Sequence, residues 1–272
     1  MNTKLTLVSA IAGGALLICG PATAQLDLLS GWSGSASIGA LATTGNSEST
    51  NLVGSANITK EFGPWAHTAF GNTFSAENND IETASRFELG YKLERFFTDT
   101  FYAFGRGRFD SDDFANIDSR YSIVAGAGNT FLDDGQQTLS AELGVGFMRA
   151  DYIAPFDQFE LAVEEETLVE GQISPLSTPA APGDREEDDG AVLYGAVNYS
   201  NNFRENLTFN SNFNFETSSS NTLTVWDNSL NIALSESIAL SLGFLIRNNA
   251  DIIGSLGDNT DTATRISIVY GI

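Results

Sequence analysis

Arg106 and Arg108 alternate with Gly105, Gly107 and Phe109. In an extended segment, both guanidiniums therefore project from one face, one pleat apart. The same spacing puts Arg86, Glu88, Lys92 and Glu94 on one face upstream, and Arg120 on the matching face downstream. Glu142, Asp227, Arg247 and Arg265 are candidates for the same interior. Such charges could set a transverse field across a water-filled passage that selects small polar solutes. They could equally form an ion-pair network that fills a narrow interior, since enclosed charges persist only when paired. Both signs occur together, and Asn210, Asn212 and Asn214 offer bridging amides on one face, which favours the network.

A second concentration of charge lies at 151–189, where 12 Asp and Glu face a single basic residue, Arg185. It includes Glu164, Glu165 and Glu166, and then Glu186, Glu187, Asp188 and Asp189. Three of the six prolines fall at 171–183, so the stretch 152–189 reads as a long, solvated acidic loop. Carboxylates are the oxygen ligands of calcium and magnesium, which makes these seven residues candidates for weak, diffuse divalent-cation capture. The Asp-x-Asp-x-Asp-Gly spacing of an ordered calcium loop is missing.

Other chemistry has little to draw on. The chain has one His and one Cys, so no thiolate zinc site or disulfide framework is available. His67 follows Gly63-Pro64-Trp65 and has no His partner, which suits an interfacial or structural role better than catalysis. Gly126-x-Gly128 and Gly144-x-Gly146 lack the helix and Lys of a phosphate loop and read as close-packed strand glycines. A formal charge of −22 argues against a nucleic-acid partner. No catalytic residue, resident metal or cofactor is expected.

The elements that hold these side chains follow from the rest of the pattern. Lys4, the apolar stretch from Leu5 to Cys19, and Ala22-Thr23-Ala24 make residues 1–24 an export signal cleaved before Gln25. Beyond it, period-2 alternation recurs in segments of about 10–14 residues, which suits tilted barrel strands. In one segment Leu139, Ala141, Leu143, Val145 and Phe147 alternate with Ser140, Glu142, Gly144 and Gly146. In another, Ile238, Leu240, Leu242, Phe244 and Ile246 alternate with Ala239, Ser241, Gly243, Leu245 and Arg247. One face is apolar and the other polar throughout. About twelve strands are predicted over 25–272, joined alternately by tight turns and by polar, generally longer ones such as Ser111–Asp118. This is an all-β, antiparallel transmembrane barrel, with the tight turns in the periplasm and the acidic loop outside. Trp32, Phe62, Trp65, Phe96, Phe97, Phe101, Phe131, Tyr199 and Phe203 stand near predicted strand ends, as an interfacial girdle would. Ile266, Ile268, Tyr270 and Ile272 share a face at the end of the chain and partly match the signal read by the barrel-assembly machinery.

Gly31-Trp32-Ser33-Gly34-Ser35 is followed by Thr43-Thr44-Gly45-Asn46-Ser47, by Gly63-Pro64-Trp65 with His67, by the run Tyr102 to Arg108, and by Thr264 to Tyr270. In this order the pieces resemble the family called domain of unknown function 481, whose members carry the label of salt-induced outer membrane proteins. The resemblance implies a small outer membrane barrel without an established activity, and it assigns no catalytic or ligand residues. The long acidic loop and the terminal Ile272 depart from the family pattern.

The expected role is structural, in adaptation of the bacterial envelope, with a narrow passive channel as the alternative and an outer membrane enzyme as a distant third. The expected partners are outer membrane lipid, lipopolysaccharide and divalent cations at the acidic loops. Protease added to intact cells should nick the chain between Asp151 and Asp189 and leave the barrel behind. A tag placed near Gly183 that is reachable only after the outer membrane is permeabilised would reverse this topology.

Overall fold

The structure, a computed structural model, describes residues 31–43, 49–78, 81–112, 117–153, 185–219, 221–250 and 260–271. The export signal and Glu164–Glu166 lie outside the described residues. The strands are β1 (Trp32–Thr43), β2 (Ser49–Phe62), β3 (Trp65–Asn78), β4 (Ile81–Phe96), β5 (Phe101–Asp112) and β6 (Ile117–Asp133). They continue with β7 (Gln137–Ile153), β8 (Arg185–Arg204), β9 (Leu207–Thr217), β10 (Thr222–Ala233), β11 (Ile238–Asn249) and β12 (Thr260–Gly271). Each strand pairs antiparallel with its neighbours in sequence, and β12 returns to β1 through the register Ser35↔Gly271 to Gly39↔Ser267. The result is a closed barrel, which leaves no free sheet edge.

Residues directly opposite in such a ladder share a face, so one assignment propagates around the barrel. On β7, Leu143, Val145 and Phe147 are 65%, 68% and 53% exposed, whereas Glu142, Met148, Ala150 and Tyr152 are buried. On β12, exposed Ile266, Ile268 and Tyr270 flank buried Ser267. The apolar side chains point out and much of the polar chemistry points in. This is the reverse of a soluble sandwich and the pattern of a transmembrane barrel.

The strands run further than composition suggests. β7 continues to Ile153 and β8 begins at Arg185, so Glu186–Asp189 belong to a strand and not to the loop. β3 and β4 stay paired as far as Asn78↔Ile81, and β9 and β10 as far as Thr217↔Thr222, beyond the bounds that polar composition suggests. Backbone pairing explains both: a polar residue extends a ladder readily when its partner strand is already in place. On the short-turn rim, Gly135 (φ +82°) closes the β6–β7 turn in the left-handed region. In the same turn the Asp134 carboxylate accepts the amides of Gln137 (2.6 Å) and Gln136 (2.9 Å). Those two donated hydrogen bonds hold its carboxyl below the usual carboxylate range.

The two faces of β11 should tolerate charge differently. Leu242 is exposed on the outer wall at mid-strand, and Ser241 faces the interior. Leu242→Arg should cost about 2–4 kcal/mol of stability in lipid vesicles, and Ser241→Arg appreciably less. Equal losses in urea titrations of the vesicle-inserted proteins would contradict the facing assignment.

Candidate functional site in the barrel lumen

The half of the lumen near the short turns is built around Tyr102 and Phe104 of β5, both 4% exposed. Glycines on the facing strands make room for these rings. A Cβ on Gly128 would stand 2.4 Å from the Tyr102 ring, and one on Gly144 would stand 3.1 Å from Phe104. Tyr102 donates its hydroxyl to Glu142 Oε1 at 2.8 Å, and the Lys92 ammonium donates to the same oxygen. Lys92 also meets Glu94 at 3.0 Å and lies over both rings, 5.6 and 5.3 Å from their centroids. The Tyr194 ring meets Phe104 edge-on at 5.8 Å. One buried carboxylate is thus held by a cation and a phenol inside an aromatic wall, the arrangement under which a charge survives burial.

Towards the long-loop rim the lumen is crossed by charges. Arg120 holds Asp110 with two hydrogen bonds, of 3.1 and 2.6 Å, between adjacent strands. Arg108 meets Asp110 at 3.2 Å and Glu216 at 2.8 Å, and Arg106 donates to the other oxygen of Glu216 at 2.5 Å. These contacts join β5 to β9. Arg86 of β4 donates to Asp112 of β5 at 2.6 Å and to Asp261 of β12 at 2.7 Å. Arg247 of β11 stands 3.7 Å from Asp110 and 3.8 Å from Asp112. Since β5 and β11 are diametrically opposed in the ring of strands, this last contact spans the whole lumen. Lower on the wall, Arg265 and Asp227 pair between β12 and β10.

Among the lumen candidates named from the sequence, Arg86, Lys92, Glu94, Arg106, Arg108, Arg120 and Glu142 lie inside and take part in ion pairs. Glu88 faces inward opposite Asp110 in register. Three further acids, absent from those candidates, complete the network: Asp110, Asp112 and Glu216. Asp112 corrects an expectation, because it ends β5 as a buried partner of Arg86 and is not part of a solvated turn. Its spacing from Arg108 and Asp110 carries the signal, since all three sit at even positions of one strand. Phe96 is a second correction: it turns inward to pack on the Tyr102 cluster and does not join the girdle. His67 lies on the outer wall, where its Nδ1 is 2.5 Å from the Tyr91 hydroxyl.

The carboxylate run at the start of β8 is split by the strand itself. Glu187 and Asp189 lie on the exposed face, Asp188 on the other, and Glu187 pairs with Arg149 at 2.6 Å. Consecutive strand residues cannot converge on one ion. Among the described residues, no three His, Cys, Asp or Glu side chains are grouped to hold a metal.

The family model described as protein of unknown function, DUF481, matches residues 36–272. The chain belongs to the DUF481 family. This DUF481 barrel is 23% identical over 239 residues to the uncharacterized protein YdiY of Escherichia coli (strain K12), covering 88% of this chain and 82% of that one. Among solved structures, the translocator domain of autotransporter NalP from Neisseria meningitidis is similar, with a TM-score of 0.48 at 10% identity over 97% of this chain and 96% of that one. The NanC porin gives a TM-score of 0.42 at 9% identity, over 88% and 97%. At such identities the likeness is one of fold.

Removing Asp110 from the DUF481 barrel would leave Arg108 and Arg120 enclosed with too little counter-charge. Asp110→Ala should therefore cost about 3–5 kcal/mol in denaturant unfolding from lipid vesicles. Glu187→Ala, which breaks only the exposed pair with Arg149, should cost about 0–1 kcal/mol. Similar losses for the two variants would mean that water reaches the Asp110 layer.

Proposed function

We propose that this chain is a bacterial outer membrane barrel with a structural, envelope-adaptation role, that it is not an enzyme, and that ion pairs hold its lumen closed. The observation that carries this reading is the set of charges joining distant walls: Arg106 and Arg108 to Glu216, Arg86 to Asp261, and Arg247 to Asp110 and Asp112. An open pore keeps its charges on the walls, whereas here they meet across the lumen. The outer membrane location is supported by the apolar outer wall, by strand length, and by the export signal read in the sequence. Its partners would then be membrane lipid, lipopolysaccharide and, during insertion, the barrel-assembly machinery. Divalent cations would be shared between lipopolysaccharide phosphates and the carboxylates of the long-loop side. Exposed contacts of this kind weaken as ionic strength rises, which offers a link to salt.

A narrow passive channel is the second reading, and one observation favours it. Inward-facing Asn210, Asn212, Ser229, Asn231, Ser37 and Asn57 keep part of their surface accessible, in contrast to the buried arc of β5–β8. A lane of hydroxyls and amides follows that side as far as the charged layer. Planar-bilayer recordings separate the two readings. The wild-type protein is expected to give no stable conductance steps in potassium chloride, and Arg247→Ala, which removes the tie between opposite walls, is expected to conduct. Regular steps from the wild type would overturn the closed-lumen reading in favour of the channel.

A further inference from the structure

The outer wall of the barrel is largely apolar, yet β10 places an amide in the middle of it. Register pairs Asn228 with Phe244 of β11 and with Ser211 of β9, and Trp226 and Leu230 share its face two residues to either side. Trp226 and Phe244 are exposed, which marks this face as the outer one. The indole Nε1 of Trp226 donates to Ser211 Oγ at 3.0 Å, and the Ser211 hydroxyl donates to Asn228 Oδ1 at 2.8 Å. The chain of donors ends there. Asn228 Nδ2 keeps two N–H groups that donate to no described residue.

Asn228 is the seventh of the twelve residues of β10, and a strand of that length spans the hydrocarbon. Its amide therefore stands near the midplane, about 15 Å from ester oxygens, phosphates or water on either side. A short side chain does not bridge that distance. Acyl chains offer no acceptor, so in lipid these N–H groups stay unpaired where hydrocarbon makes that most costly. Only another wall of protein brings an acceptor to this depth.

A second copy inserted in the same direction carries its own Asn228 at the same level. The carboxamide is self-complementary: each Oδ1 has a lone pair left beside the Ser211 bond, and each Nδ2 has hydrogens to give. A two-fold axis along the membrane normal at this point lets the pair exchange two N–H···O bonds. Around it, exposed Trp226, Phe213 and Phe244 supply broad surface for packing. Ser218, Ser219, Ser220 and Asn221, which join β9 to β10, carry no charge, and this favours contact on this side between copies of a chain at −22.

We propose that the outer wall at β9–β11 is the interface of a symmetric dimer, in which the two Asn228 carboxamides hydrogen-bond across the two-fold axis. Ser211 and Trp226 orient the amide, and the surrounding rings exclude lipid from it. The proposal rests on the reading of the chain as a membrane barrel.

Sedimentation equilibrium of the refolded full chain in density-matched detergent micelles tests it by measuring the monomer–dimer constant. The wild type should dimerise. Asn228→Leu, which suits a lipid-facing position and should insert normally, should weaken the dimer about tenfold, the factor that two hydrogen bonds between membrane segments bring. Asn228→Gln keeps the carboxamide and should fall between the two. With Cys19→Ser as background, Asn228→Cys should give a disulfide-linked dimer on oxidation. Leu89→Cys, exposed near the centre of β4 on the opposite wall, should not. A monomeric wild type at the highest protein-to-detergent ratio would overturn the dimer and leave a different protein as the cover of Asn228. An unchanged constant for Asn228→Leu, or equal trapping at Leu89, would overturn the interface as well. Insertion is scored separately, by the gel mobility of unheated against boiled samples after mixing with vesicles. Failure to insert would sink the membrane reading itself, whereas insertion as a monomer would sink this interface alone.

Discussion

Backbone pairing is the constraint from which the rest of this structure follows. Hydrocarbon offers no hydrogen bonds, so every strand must find partners on both sides, and only a closed ladder supplies them. Closure also fixes chemistry. Each antiparallel pair puts its two residues on the same face, and the parity set by Leu143 and Glu142 on β7 carries round all twelve strands until Gly39 meets Ser267. A one-residue slip anywhere would send charges into lipid and Leu, Val and Phe into the lumen. The alternation of the sequence is therefore a condition that every strand must meet at once.

The interior shows what such a closed ladder does with the polar half of its side chains. A barrel of this size cannot leave Arg108, Arg120 and Arg247 enclosed without counter-charges, and Asp110, Asp112 and Glu216 supply them. Aromatic rings and small residues divide the remaining space, with Tyr102 lying where Gly128 has no side chain. Packing and charge pairing thus fill the interior along this arc together. The arc of β5–β8 is dense, and the hydroxyl and amide arc opposite keeps part of its surface accessible.

Much of this was legible in the sequence, because alternation is local. The twelve strands and the inward direction of Arg106, Arg108 and Glu142 follow from residues two apart. What escaped depends on distance along the chain. Arg106 and Glu216 are 110 residues apart, and nothing in either neighbourhood names the other. Asp112 and Glu186–Asp189 look like loop because they are acidic, yet partner strands already in place extend the ladder through them. Phe96 stands at a strand end like its girdle neighbours, and only its place on the face of Lys92 and Glu94 separates it from them. The outward row of Lys60, His67 and Trp32 is likewise invisible until three strands are aligned.

The placement of the charges has a consequence for biogenesis. Asp110 and Asp112 lie on β5, but Arg247 and Asp261, which complete their surroundings, lie on β11 and β12, the last strands to be made. A nascent chain lacking those strands would part Asp110 and Asp112 from Arg247 and Arg86 from Asp261, and would carry two open edges. Such a fragment has reason to remain in water instead of entering lipid, since hydrocarbon offers nothing to its open edges. Completion of the polypeptide thereby becomes an electrostatic licence for insertion, written into the order of the strands.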